Sequence, residues 1–272
     1  MASYHDEAVA LDRVRFKSSC LKIDRAEEHL ETLKSEIGEW LDGKPYGVIK
    51  KFEPDSGRHS LVLEVRRAAN FERFALIAGD CAQNLRCALD HLVYALALES
   101  PNGMLAKPRI LQFPLCDTSE DFNSQRRRIA ALTQEAQEFI EGKQPYNRGH
   151  AELPPIMALL NAFNNIDKHR LVQVTYNCNS AGQISFTRAI SQIVSRTVWA
   201  NKSFDNGDEI AYFFSESKSE VPYNFAVSFT IGVSHIPGPG LRTTSPLEGV
   251  LVGMLAEVKR IVSEADGIGH SH

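Results

Sequence analysis

Between Gly79 and Ala97 the chain reads GDCAQNLRCALDHLVYALA. At about 100° per residue of a helix, Asp80, Gln83, Asn84, Cys87, Asp90, His91 and Tyr94 fall on one arc. Carboxylates, carboxamides, a thiol, an imidazole and a phenol on one face can accept, donate and transfer protons. A solvated face would carry lysine and glutamate instead. The remaining circumference holds Ala82, Leu85, Ala88, Leu89, Leu92, Val93 and Leu96, with Arg86 at the boundary. An arc of this kind is expected to meet a second polar surface in a cleft, for chemistry or for structure. A second candidate surface is Asn164-Asn165-Ile166-Asp167-Lys168-His169-Arg170, polar or ionisable at every position but Ile166 and placed where a helical pattern gives way to a strand pattern. If the two segments face each other, Arg86, Lys168 and Arg170 meet Asp80, Asp90 and Asp167, with His91 and His169 between them. That is the composition of a general acid–base site, an anion site or a salt-bridge network.

Each residue also has a plainer role open to it. His91 beside Asp90 reads equally as a hydrogen-bonded packing histidine. Arg86 can pair with Asp90 one helical turn on. Asp80 can cap or break a turn next to Gly79, Asn84 can hold neighbouring backbone, and Cys87 can act as a small buried hydrophobe. At the junction, Asn165 and Asp167 can cap the turn, Lys168 and Arg170 can be solvated, and His169 shares the ambiguity of His91. Asp80, His91, Asp167 and His169 are competent metal ligands, yet no H-x3-H or HExxH spacing joins them, so neither a metal nor a cofactor is expected. Arg126-Arg127-Arg128 reads as solvated charge.

Helices and strands must position these groups. Ile23, Ala26, Leu30, Leu33, Ile37 and Trp40 step by three and four, so a long helix is expected over about 8–41, ended by Gly43-Lys44-Pro45. Alternating runs over 46–52 and 60–66, around Pro54-Asp55-Ser56-Gly57, predict a hairpin. The polar-arc helix spans about 70–98. A capping signal at Asp117-Thr118-Ser119-Glu120 predicts a helix to about Leu132, followed by another over 133–141. Pro154-Pro155 opens a helix striped by Ile156, Leu159, Leu160 and Phe163. Beyond Arg170 the period becomes twofold, predicting strands at 171–176, 183–189, 192–199, 208–214 and 224–232. Ser245-Pro246-Leu247-Glu248 offers an N-cap serine, an N1 proline and an N3 glutamate for a last helix to about Ala265.

The fold class is therefore α+β: a helical bundle with an inserted β-hairpin, then an antiparallel sheet and a C-terminal helix. We expect one integrated domain over 1–272, with a helical part of about 1–170 (hairpin 46–66), a sheet part of about 171–235 and the last helix at about 245–265. A net charge of −4, with 24% charged residues, excludes a general nucleic-acid coat, whose binding depends on lysine and arginine neutralising phosphates. No run approaches the roughly 20 apolar residues that cross a bilayer. The charged N-terminus lacks the apolar stretch of a signal peptide, and five cysteines without a CxxC fit a reducing compartment. A soluble, cytoplasmic protein without a membrane partner is expected.

Two resemblances bear on function. GDxxxNLRxALDHL, the Gln144-Pro145-Tyr146 element and NNIDKHRL together resemble a widespread family of uncharacterised bacterial proteins, over about 71–171. Arg86-Cys-Ala-Leu-Asp-His91 resembles the R-x4-H pattern of HEPN-superfamily ribonucleases. That resemblance implies metal-independent cleavage of RNA, or nucleotide binding, by a homodimer. Only Arg86 and His91 map onto that pattern: His91 would be the acid or base and Arg86 the stabiliser of developing charge. Asp80, Asn84, Asp90, Asn165, Asp167, Lys168, His169 and Arg170 are supporting candidates from the two polar segments themselves. Leu85 and Cys87 flank Arg86 where that superfamily commonly has a polar neighbour. Arg86 and His91 also stand about 140° apart on an ideal helix, so a shared target requires Arg86 to reach around or a distorted turn. The alternative is a non-catalytic ligand-binding or interaction module whose polar cluster is structural.

Overall fold

Helix α1 (Lys17–Asp42) forms where Ser19, Ile23, Ala26, Leu30, Leu33, Ile37 and Trp40 recur at helical spacing, and all of them are buried. The structure, a computed structural model, describes residues 15–101, 107–147, 155–178, 183–186, 193–198, 203–216, 219–233 and 245–269. Lys44, with φ 48°, turns the chain out of α1. The Trp40 indole N–H then donates to the Arg67 carbonyl at 3.0 Å, which ties the helix end to the far side of the hairpin.

Strands β1 (Tyr46–Glu53) and β2 (Arg58–Val65) pair antiparallel with Glu53 opposite Arg58, leaving Pro54 to Gly57 as the loop, and Gly57 takes φ 66°. Helix α2 (Phe71–Glu99) starts where the Asn70 side chain accepts from Arg73 N–H. Its apolar face, from Phe74 to Leu96, is buried. Helix α3 (Ser119–Gln125) is capped by Thr118, which accepts from Asp121 N–H at 3.1 Å. It is shorter than the pattern to Leu132 predicts, because Arg126–Arg128 tightens into a 3-10 turn. Helix α4 (Gln134–Gly142) is capped by Thr133 as expected. Helix α5 (Ile156–Asp167) follows Pro155, and its Met157, Leu159, Leu160 and Phe163 are buried.

The later chain adds β3 (Val174–Cys178), β4 (Gln183–Phe186), β5 (Ile193–Val198), β6 (Ser203–Phe204), β7 (Glu209–Ser215), β8 (Tyr223–Ala226), β9 (Phe229–Val233) and β10 (Ser245–Pro246), and then helix α6 (Leu247–Glu264). The fold is α+β, with antiparallel sheets between the helical region and α6. The strands divide into three sheets rather than one: β1-β2-β7-β5, β10-β9-β3-β6 and the pair β4-β8. The hairpin is therefore not an isolated insertion, since β2 pairs with β7. The run 224–232, expected as one strand, changes partner in its middle: Phe225 lies opposite Ile184, while Ile231 lies opposite Tyr176. Alternation fixes which face a side chain takes and leaves the choice of partner strand open. Ser245 does not cap α6 either. Its backbone pairs with Val233, so Pro246 takes the N-cap position without a side-chain cap. Positions 187–189 and the loop at 237–240 lie outside the described residues.

One apolar core joins α1, α2, α5 and α6 to Tyr176, Ile231 and Val233 of the strands. A second, with Leu61, Leu63, Ile210, Phe213 and Phe229, lies among the strands. Helix α2 runs through the first core and packs on α1, α5 and α6. The end of α5 reaches α2 at Gly79, where a Cβ would overlap the Asp167 carboxylate. Glycine at that position is what lets the second polar segment close on the first. Among the described residues, no helix is long and apolar enough to cross a membrane.

Candidate functional site

The polar arc of α2 divides between two cavities, and Arg86 organises the first. Its Nη2 donates to the Phe113 carbonyl and lies 3.1 Å from Asp90 Oδ1. The same Oδ1 accepts from Phe113 N–H at 2.8 Å, so an ion pair one helical turn long grips both faces of one residue's backbone. The loop that carries Phe113 is held from behind. Wholly buried Gln144 donates to the Pro114 and Ile140 carbonyls, both at 2.9 Å, and accepts from Cys116 N–H at 3.1 Å. Asn161 donates to the Leu115 carbonyl at 3.3 Å.

Beside this clamp lies a cavity of about 430 Å³. Helix α2 contributes Gln83, Arg86 and Asp90; the loop contributes Gln112 and Leu115; Gln125 and Arg128 come from α3 and its 3-10 turn; and Asn161, Asn164, Asn165 and Lys168 come from α5 and its end. The two segments singled out in the sequence thus line one cavity. Among the described residues, Leu115 is the sole apolar residue of that lining. Three cationic side chains (Arg86, Arg128, Lys168) stand there against one carboxylate, Asp90.

Burial shapes the charges. Desolvation lowers the pKa of Arg86, opposed by Asp90, while the guanidinium stays protonated. Desolvation raises Asp90 above the usual carboxylate range, against the pull of Arg86 and of the Phe113 N–H. Two enclosed groups of this lining, Arg86 Nη1 and Asn164 Oδ1, have no hydrogen-bond partner. Buried polar groups are nearly always satisfied, so each is an unmet group enclosed in the wall of the cavity, among the described residues.

His91 faces elsewhere. Its Nδ1 shares a 2.5 Å hydrogen bond with Ser18 Oγ of α1. It lines a second cavity of about 570 Å³, whose walls include Phe16, Tyr94, Leu98 and Leu111. Asp90 borders both cavities. The 140° between Arg86 and His91 on the helix is therefore kept in the fold, and the two do not converge.

The other candidates are dispersed. Asn84 donates to the Asp80 carbonyl at 2.8 Å and accepts from Lys22 at 3.3 Å, which holds α2 to α1. Asp80 is exposed, and Asp167 sits over Gly79 with its pKa raised by burial first and then by Asp80. Cys87 accepts from Gln83 Nε2 at 3.4 Å. His169 and Arg170 are exposed, and their backbone N–H groups close the end of α5 on Ile166. Of the residues proposed from sequence, Arg86, Asp90, Asn165 and Lys168 share the cavity. His91, Asp80, Asn84, Asp167, His169 and Arg170 do not line it. Among the described residues, no group of three or more His, Cys, Asp or Glu side chains is placed to hold a metal ion.

Arg128, Gln112, Gln125 and Asn161 were not singled out from sequence. Arg126-Arg127-Arg128 reads as solvated charge, and the 3-10 turn that separates the three is not written in the pattern. Successive residues of a 3-10 turn are about 120° apart, so three adjacent arginines splay in three directions. Arg126 pairs with Glu141 at 2.6 Å, Arg127 is exposed, and Arg128 turns to the cavity. In comparisons with protein-family models, curated proteins and solved structures, nothing matches this chain.

Proposed function

We propose that this protein binds a small phosphate-bearing anion in the cavity between α2 and α5. The observation that carries the proposal is three cationic side chains against one carboxylate in a partly enclosed space lined almost wholly by polar groups. Like charges are gathered at a cost unless a counter-charge joins them, and guanidinium groups match the geometry of phosphate oxygens. The Arg86–Asp90 pair holds the Phe113 backbone and presents one edge of Arg86 in fixed orientation, which lowers the ordering cost of binding. Calorimetric titration with inorganic phosphate tests the proposal. Saturable binding that weakens with salt, and at least about ten-fold in Arg128→Ala/Lys168→Ala, is the expected result. No heat of binding in the wild-type protein would overturn it.

A second reading keeps the R-x4-H resemblance: metal-independent RNA cleavage, with His91 taking the 2′-hydroxyl proton and Arg86 stabilising the phosphate. Asp90, the wall common to both cavities, is the observation behind it, and the step requires one ribose and its adjacent phosphate to bridge that wall between His91 and Arg86. RNA cleavage by the purified protein that disappears in His91→Ala would support it, and cleavage unchanged in that variant would end it.

A further inference from the structure

We infer that the ligand of the Arg86 cavity is a small phosphorylated polyol, of the size and charge of a pentose 5-phosphate, recognised through its hydroxyl groups. This rests on the anion-binding reading above and goes on to name the ligand's chemistry.

Charge comes first. Three cationic side chains less one carboxylate leave two positive charges in the lining. A phosphate monoester carries about −1.5 to −2 at neutral pH, whereas each phosphodiester of a nucleic-acid strand carries about −1. The cavity balances the monoester. A chain with net charge −4 offers a long strand no broad cationic track, which also favours a small ligand.

The rest of the lining identifies what the phosphate is attached to. Gln83, Gln112, Gln125, Asn161 and Asn165 supply carboxamides, each both donor and acceptor, and a hydroxyl group is likewise both. A nucleobase requires a flat aromatic or apolar surface on which to stack. Among the described residues, no aromatic side chain lines the cavity, and Phe113 and Phe163 are wholly buried. A volume of about 430 Å³ lies in the lower part of the range for small-molecule sites, about 300–1,000 Å³.

The test is calorimetry on the full chain with inorganic phosphate, ribose, ribose 5-phosphate, adenosine, adenosine 5′-monophosphate and a short single-stranded RNA without a terminal phosphate. Ribose 5-phosphate is expected to bind about ten-fold or more tighter than phosphate, since two or more new hydrogen bonds are gained. Gln125→Ala/Asn165→Ala, two positions outside the apolar core, should lose that gain and keep phosphate affinity. Adenosine 5′-monophosphate should bind no tighter than ribose 5-phosphate. Binding of adenosine alone, or a preference for the nucleotide, overturns the polyol assignment. A preference for the RNA overturns the small ligand. If ribose 5-phosphate only equals phosphate, the inference falls while the anion reading stands; if no phosphate compound binds, both fall.

Discussion

Replacing Asp90 with alanine should be the most damaging single change in the polar arc. Asp90 Oδ1 does two jobs: it faces Arg86 Nη2 at 3.1 Å and accepts from Phe113 N–H at 2.8 Å. Without it, a buried N–H loses its acceptor, which costs about 1–3 kcal/mol, and a buried guanidinium loses its counter-charge, which costs about 3–5 kcal/mol where burial is complete. Burial here is incomplete: the Arg86 and Asp90 side chains retain 11% and 28% of their exposure, and water in the cavity screens the orphaned charge. A discounted total of about 2–4 kcal/mol follows from these two costs. For a protein of this size that lowers the thermal midpoint by about 4–16 °C. Asp90→Asn keeps an acceptor for Phe113 and should lose about half as much. Arg86→Met/Asp90→Ala should lose less than the sum of the single changes, because the second removal takes away the orphan left by the first. Differential scanning calorimetry of the wild type, the three single variants and the double variant reads these values. A midpoint for Asp90→Ala within about 1 °C of wild type would refute the clamp.

Three other positions give tests of their own. His169→Ala, at an exposed position, should stay within about 0.5 kcal/mol of wild type in the same calorimetry, and a loss like that of Asp90→Ala would contradict its placement outside the cavity. Gly79→Ala should gain up to about 1 kcal/mol of helix propensity only when Asp167→Ala removes the carboxylate that a Cβ would meet; equal thermal shifts in both backgrounds would show that α5 does not close on α2 at this point. His59, wholly buried and stacked on Phe213 at 4.4 Å, has its pKa lowered below 6.5 by burial, so the unfolded chain takes up the proton first. Its contribution to stability is therefore present above 6.5 and is lost as pH falls from there through the folded value, a slope that denaturant titrations at pH 7.5 and 5.5 should find flattened in His59→Leu.

Elements with a strong local signal were legible in the sequence. The three-and-four stripe from Ile23 to Trp40 became the buried face of α1, and Asn70 and Thr118 cap the helices they were expected to open or adjoin. The sequence marked both polar segments and left open whether they meet; the fold brings Gln83, Arg86 and Asp90 of α2 to Asn165 and Lys168, and leaves His169 and Arg170 exposed. What sequence pattern does not encode is the direction of a turn and the choice of a partner. The 3-10 turn that aims Arg128 into the cavity interrupts a run that reads as continuous helix, and the strand run at 224–232 alternates correctly while changing sheets. Arg86 and His91 illustrate the same limit. Their spacing resembles a motif, yet their angular separation on α2 decides that one faces Arg128 and Lys168 and the other faces Ser18.

The most direct test of the central claim is a two-dimensional NMR titration with inorganic phosphate, observing the Arg86 guanidinium, the side-chain amides of Gln83 and Asn165, and the His91 imidazole in one sample. Saturable shifts of the arginine and amide resonances with a common dissociation constant are expected, while the His91 ring signals stay in place. Shifts confined to His91 and its surroundings, with the Arg86 resonances unmoved, would contradict the claim.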